Sequence, residues 1–401
     1  MRIAFFAQRV PYPPDRGDKI TTCNEVAFLA SRHEVEVFCT ADGFNDLANA
    51  EALRARVRCV HVEPVHAASA RLRALASLAT RQPFSIAYFH SSRLRRAFDR
   101  RHAERPFDAA LIYSSSMAQF AEGATAIPRV MQFADLDSLK WQQYAARSRW
   151  PLRWLYGREA RLLLAYERRI AHEFSHSLVC TPLELADFRR LIPGAPVSCV
   201  ANGVDLEYFR PEPQGQRRAA NIVFTGMMDY LPNVDAVDWF ARCILPVVRE
   251  RVPEATFTIC GARPSVRVRA LSDLPGVEVT GRVEDVRPYV ARAAACVVPL
   301  RMARGIQNKL LEAMAMGRAC VVTPEAAAGL EPAARPAVTI GNGEQGFAAA
   351  TSALLENPAA AAALGAKARS AVETLYRWDT QLDRLERILL GVPPAPQSVS
   401  H

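Results

Sequence analysis

The sequence predicts an α/β protein built from two doubly wound parallel-sheet domains. Three observations lead there. Short apolar runs alternate with amphipathic helical stretches along nearly the whole chain. The alternation runs twice, interrupted at Glu212-Pro213-Gln214-Gly215-Gln216 by a stretch of linker composition. The chain has 401 residues, half of them hydrophobic, and single cores stop growing near ~250–300 residues.

The opening run MRIAFFA is a short apolar strand and PYPPDRGDK is turn chemistry. TTCNEVAFLAS has helical spacing, and HEVEVFCT alternates with β-branched residues. VRCVHVEP, FDAALIYSS, RVMQFAD, HSLVCT and VSCVANG repeat the strand pattern. Helical stretches separate them, including a long one over 148–172 and ELADFRRL. The second series runs NIVFTG, a helix over 234–251, ATFTICG, VEVTGR, ACVVPL, a helix over 306–317, RACVVTP, AVTIG and a helix over 345–355. A last helix, about 360–390, exceeds the needs of the second domain. The expected division is 1–210 for the first domain and 211–375 for the second. Residues 376–391 form a helix that crosses back, and 392–401 a disordered tail.

Nine scattered cysteines without a C-x-x-C pair, most within apolar strands, point to free thiols in a reducing compartment. The N-terminal apolar stretch is too short for a signal peptide, and no 18-residue apolar run occurs, so the expected location is cytoplasmic. Charge is uneven. Residues 1–190 carry 28 Lys and Arg against 20 Asp and Glu, whereas the remainder is nearly balanced at 22 against 21. The basic half suits an anionic membrane surface, an acidic ligand or nucleic acid. Its most basic aromatic stretch, Lys140 to Arg169, includes Trp141, Trp150 and Trp154; Arg93, Arg95, Arg96, Arg100 and Arg101 lie upstream. A lipid-facing surface and a solvated helix face both fit, and nucleic acid is disfavoured.

The most informative segment is Arg301 to Val322. A polar glycine loop follows the strand ACVVPL and leads into a helix that ends at Gly317. A helix N-terminus at a strand end offers free N–H groups to a diphosphate, and Lys309 adds a cation there. Glu312, one turn on, can accept two hydrogen bonds from ribose hydroxyls; a plain amphipathic helix with a solvated Lys–Glu pair uses the same residues. Gly17, after the first strand, lets a sugar diphosphate approach the backbone, or serves an ordinary turn. His172-Glu173-Phe174-Ser175-His176 matches H-E-x-x-H, but His176 opens a strand and no third zinc ligand is evident. Gly341 to Gly346 matches G-x-G-x-x-G without the acidic residue about 20 positions on. With no P-loop, no metal site is expected.

The run KLLEAMAMGRACVVT resembles the signature of retaining family-4 glycosyltransferases of the GT-B fold, two Rossmann-like domains facing a cleft. Ala201-Asn202-Gly203-Val204-Asp205, Phe224-Thr225-Gly226 and Gly281-Arg282-Val283 resemble the same family in order. PYPPDRGDKI and ADLDSLKWQQYA are similar to the subgroup found with exosortase/PEP-CTERM exopolysaccharide loci. The resemblance implies donor binding by Gly17, Gly226, Gly281, Arg282, Arg304, Lys309 and Glu312. It also implies acceptor binding by Tyr113, Ser114 and Ser115. Asp135 and Asp137 fall beside the reacting sugar carbon, as catalytic groups or as caps of a helix starting near Ser138. Arg304 stands where the family's first Glu contacts the donor sugar.

The activity implied is metal-independent, retaining transfer from a nucleotide sugar to a lipid-linked or saccharide acceptor. The nucleotide-diphosphate-sugar is a substrate, and no cofactor is expected. The place of action is the cytoplasm, peripheral at the inner face of the plasma membrane. A sugar-nucleotide epimerase and a non-catalytic sugar-nucleotide-binding protein are the alternatives, the latter supported by Arg304.

Overall fold

The computed structural model describes residues 1–14, 16–41, 44–211, 220–303 and 305–392. The chain divides into two compact units. The first comprises Met1–Cys180, Glu184–Val200 and the segment from Leu382; the second comprises Thr181–Leu183 and Ala201–Gln381.

In the first unit the strands are β1 (Arg2–Ala7), β2 (Glu34–Ala41), β3 (Cys59–Pro64), β4 (Ala109–Tyr113), β5 (Arg129–Ala134), β6 (His176–Val179) and β7 (Val197–Cys199). They form one parallel sheet in the order β3-β2-β1-β4-β5-β6-β7. Both faces are covered, as all-parallel sheets require. Ile3 and Phe5 enter one core with Val26, Leu29, Leu385, Ile388 and Leu389, while Ala4 and Phe6 enter the other with Leu94, Phe98 and Phe107. The helices that matter below are α1 (Gly17–Arg32), α2 (Ser92–Glu104), α3 (Asp137–Arg147) and α4 (Leu152–Glu173). Pro151 separates the last two. The residue before a proline is pushed out of the helical region, so the stretch expected over 148–172 starts only at Leu152.

The second unit carries β8 (Asn221–Thr225), β9 (Thr256–Cys260), β10 (Val277–Gly281), β11 (Ala295–Val298), β12 (Cys320–Val322) and β13 (Thr339–Ile340). Their order is β10-β9-β8-β11-β12-β13, again parallel. Helix α5 (Leu231–Trp239) continues through a π turn at Phe240–Ile244 into Leu245–Arg251. Pro246 lacks the donor for the Arg242 carbonyl, and a widened turn accommodates its ring. Helices α6 (Asn308–Ala315), α7 (Pro358–Leu375) and α8 (Trp378–Leu389) follow. The single helix expected over 360–390 is broken at Tyr376, whose carbonyl accepts the Val204 N–H at 2.8 Å and whose side chain is fully buried. The first turn of α8 belongs to the second unit, where Gly203 lies against Trp378; from Leu382 on it belongs to the first.

The nine cysteines are all free thiols, six of them buried. Among the described residues no helix is long and apolar enough to cross a membrane.

Candidate functional site

In doubly wound sheets the crevice for a ligand lies beyond the carboxyl ends of the strands, where the strand order reverses. In the second unit that point falls between β8 and β11. Gly226 follows β8, and Lys309 opens the helix after β11. The two meet. A Cβ on Gly226 would stand 2.8 Å from Asn233 Nδ2 and 3.3 Å from Lys309 Cε, so only glycine fits. Asn233, in the first turn of α5, donates from Nδ2 to the Met227 carbonyl at 2.9 Å and accepts from Lys309 Nζ at 2.7 Å. The ammonium also lies 4.8 Å from the centre of the Phe224 ring.

Burial lowers the Lys309 ammonium to about 8, against the pull of Glu312. Burial likewise pushes the Glu312 carboxyl up to about 7, with Lys309 acting the other way. Both residues remain partly open to solvent. Gln307, the N-cap of α6, makes no side-chain cap. Asn308 at its first position accepts from Asn202 Nδ2 at 3.1 Å, which ties the Ala201–Asp205 loop to this helix end. Gly281 ends β10 with φ +68, a backbone that glycine supplies without strain. Exposed Arg282 follows it, two strands away from β8 on the same sheet edge. Arg304 lies outside the described residues.

In the first unit the reversal falls between β1 and β4. Gln8, just past β1, donates to Ser116 Oγ at 3.1 Å, and Ser116 and Ser114 hydroxyls lie 3.2 Å apart. Ser114 sits at φ +76, uncommon for a residue with a side chain, which turns the chain sharply at the strand end. Ser115 Oγ donates to Asp137 Oδ2 at 3.3 Å, and Lys140 pairs with the other oxygen of that carboxylate. Asp137 in turn raises the Lys140 ammonium above its ordinary range. The Asp135 carboxylate lies 3.9 Å from Cys180 Sγ. Tyr113 is buried, and its hydroxyl is driven well above the usual phenol range by burial, then by Asp18, Glu25, Cys180 and Asp135. Gly17 is the exposed first residue of α1.

The capping of α3 lies elsewhere. Its N-cap is Leu136, without a side-chain cap, and the Ser138 N–H goes to Glu167 on α4 at 3.2 Å. Residues that the sequence reading passed over therefore include Asn233, Gln8 and Glu167. Glu25 joins them: wholly buried, its carboxyl is pushed up to about 8 by burial despite a bond with Gln132.

The two decoy motifs have structural roles. His172 lies in the last turn of α4 while His176 opens β6 and meets Ser198 Oγ at 3.0 Å. A Cβ on Gly341 would stand 2.5 Å from the Phe347 Cα, so the glycine permits close packing of strand end and helix. Among the described residues, Glu36, Cys59 and His61 bring metal-capable atoms together, but Arg2 and Arg101 already occupy the Glu36 carboxylate. The arginines of α2 are partly spoken for as well: Arg95 pairs with Asp99, and Arg101 with Glu36 and Glu104.

Residues 219–357 match the family model described as glycosyl transferases group 1. No curated protein matches the chain. Among solved structures, sucrose-phosphate synthase from Thermosynechococcus elongatus superposes with a TM-score of 0.72 at 16% identity, covering 97% of this chain and 98% of that one. HepE from Anabaena, in complex with UDP-glucose, gives 0.66 at 14% identity, over 98% and 100% of the two chains. WaaG, a glycosyltransferase involved in lipopolysaccharide biosynthesis, gives 0.67 at 17% identity, over 97% and 100%. At such identities the likeness is one of fold. The chain thus has the GT-B fold, two parallel-sheet Rossmann-like units, and its second unit carries the match to group 1 glycosyl transferases.

Proposed function

We propose that the protein is a glycosyltransferase that takes a sugar from a nucleotide diphosphate and passes it, with retention and without a metal, to a lipid-linked saccharide acceptor. The observation that carries this reading is the meeting of Gly226, Asn233 and Lys309 at the reversal point of the second sheet, with Glu312 one turn along. Lys309 neutralises the diphosphate, with Gly281 and Arg282 on the same sheet edge, and Glu312 accepts from the ribose. In the first unit Gly17 admits the donor, Tyr113, Ser114 and Ser115 hold the acceptor, and Asp135 and Asp137 face the reacting carbon. A carboxylate there stabilises the positive charge that develops on the sugar ring. The resemblance of the sequence to retaining enzymes assigns proton removal from the acceptor to the leaving diphosphate. The likeness of PYPPDRGDKI and ADLDSLKWQQYA to the exosortase-associated subgroup supports a role in exopolysaccharide biosynthesis at the inner face of the plasma membrane.

The test is a panel of nucleotide sugars, read by thermal shift and by donor hydrolysis. One donor raises the melting temperature and is slowly hydrolysed. A chain that binds none of them is not a transferase of this kind. One that binds a donor but never hydrolyses or transfers it is a binding protein.

A further inference from the structure

In the first unit, α3 and α4 line a groove of about 620 Å³ that none of the roles above uses. The floor and walls come from one face of each helix. Leu139, Gln142 and Ala145 recur at helical spacing on α3, as do Arg153, Gly157 and Ala160 on α4. The groove begins at Ser138, the residue after Asp137, so it opens beside a group assigned to the reacting end of the substrates. Trp150 and Trp154 stand at its rim, 82% and 55% exposed. Large indoles left this open favour an apolar–polar boundary.

Two further facts bear on what fills it. Arg153 and Arg161 line the groove, are exposed and have no acidic partner among the described residues, unlike Arg190 at the same groove, which pairs with Asp187. Gly157 lies inside α4, where glycine costs helix stability relative to alanine. Packing does not demand it, because a Cβ there would meet nothing within 4 Å. The glycine keeps the floor of the groove open.

We propose that this groove receives the hydrocarbon tail of a phosphate-bearing, lipid-linked acceptor. The apolar walls take the chain, Arg153 and Arg161 take the phosphate, and Trp150 and Trp154 border the lipid headgroups. Asp137, one residue from the groove, then meets the saccharide end of the same molecule. This proposal rests on the lipid-linked acceptor in the reading above and adds where its tail lies.

The test is calorimetric titration of the full chain with dodecyl phosphate below its micelle-forming concentration, beside butyl phosphate and the uncharged dodecyl maltoside. Dodecyl phosphate binds saturably and butyl phosphate does not. Gly157→Leu fills the floor and weakens dodecyl phosphate roughly tenfold or more, since several buried CH₂ groups lose their place. Its melting temperature does not fall. Arg153→Gln with Arg161→Gln weakens dodecyl phosphate and leaves dodecyl maltoside unchanged. Trp154→Ala, on the exposed rim, weakens both alkyl probes and guards against misfolding of the leucine variant. Binding of dodecyl phosphate by Gly157→Leu as tightly as by wild type overturns the proposal, as does equal binding of butyl phosphate. Donor hydrolysis by the same preparations separates the two readings. If hydrolysis persists while Gly157→Leu binds the probe unchanged, only the groove falls. If no donor is hydrolysed while dodecyl phosphate binds, the transferase reading falls.

Discussion

Lys309 Nζ donates to Asn233 Oδ1 at 2.7 Å, and this bond fixes a cation at the carboxyl end of the second sheet that would otherwise sample many rotamers. A long side chain held in one place loses less entropy when a ligand arrives. Asn233→Ala is therefore expected to weaken nucleotide binding with Lys309 itself still present. Titration of the variant with the best donor from the panel checks this, and Lys309→Met sets the limit of the loss.

The acidity of the pair sets a pH window. Glu312 is a good acceptor only when ionised, above about 7, and Lys309 is a cation only below about 8. Donor affinity is expected to peak between these values and to fall on both sides. Stability runs by a different sign. The raised carboxyl keeps its proton in the folded chain, so this group favours folding below the ordinary carboxylate range and loses that contribution as pH rises through 7. Binding isotherms and melting temperatures across pH 5 to 10 separate the two effects; a flat affinity profile removes both groups from the site.

Glu312→Ala is expected to cost about 1.5–3 kcal/mol of nucleotide affinity, the range for hydrogen bonds to a charged group. The fold survives, since the residue is partly open and no structural hydrogen bond depends on its carboxylate among the described residues. Unchanged affinity in a folded variant would remove the ribose assignment.

Asp135→Ala and Asp137→Asn act on a different quantity. Turnover falls while nucleotide affinity stays, because neither carboxylate belongs to the unit that carries Lys309 and Glu312. Asp137→Asn also frees Ser115 and Lys140 from their shared partner. Helix content by circular dichroism remains unchanged, as Glu167 holds the first turn of α3.

Glu36 offers a test of stability apart from the site. Burial by itself would raise its carboxyl, but hydrogen bonds from Arg101 and Arg2 bring it down to about 2. The clamp thus favours folding above the ordinary carboxylate range, and its contribution is lost as pH falls through 2. Glu36→Gln leaves the buried Arg2 with only its 3.3 Å pair to Glu34, and is expected to destabilise the unit. Urea unfolding at neutral pH measures it. The same clamp makes arginine-to-glutamine changes across α2 a poor probe of lipid binding, since loss of Arg101 destabilises the unit.

Both sheets were legible because a strand buried on two faces reads as an uninterrupted apolar run, as in IAFFA and ACVV. Lys309 and Glu312 were legible because their spacing is local to one helix. Asn233 was not, for its partner lies 76 residues away and an asparagine after a proline has many uses. Glu167 holds the first turn of α3 from 29 residues away, so the neighbouring sequence offers only the aspartates as caps. The break at Tyr376 answers to Val204, far earlier in the chain, and nothing in the helical pattern around it announces the change.

Helix α8 has a consequence for the order of events during synthesis. Leu385, Ile388 and Leu389 complete one core of the first unit, in contact with strands whose residues are translated before the second unit begins. On the ribosome the first unit therefore waits, with Ile3, Phe5 and Val26 incompletely covered, until the second has been made. A fragment ending at Val200 exposes that same apolar face, and supplying 378–392 as a separate peptide should restore it.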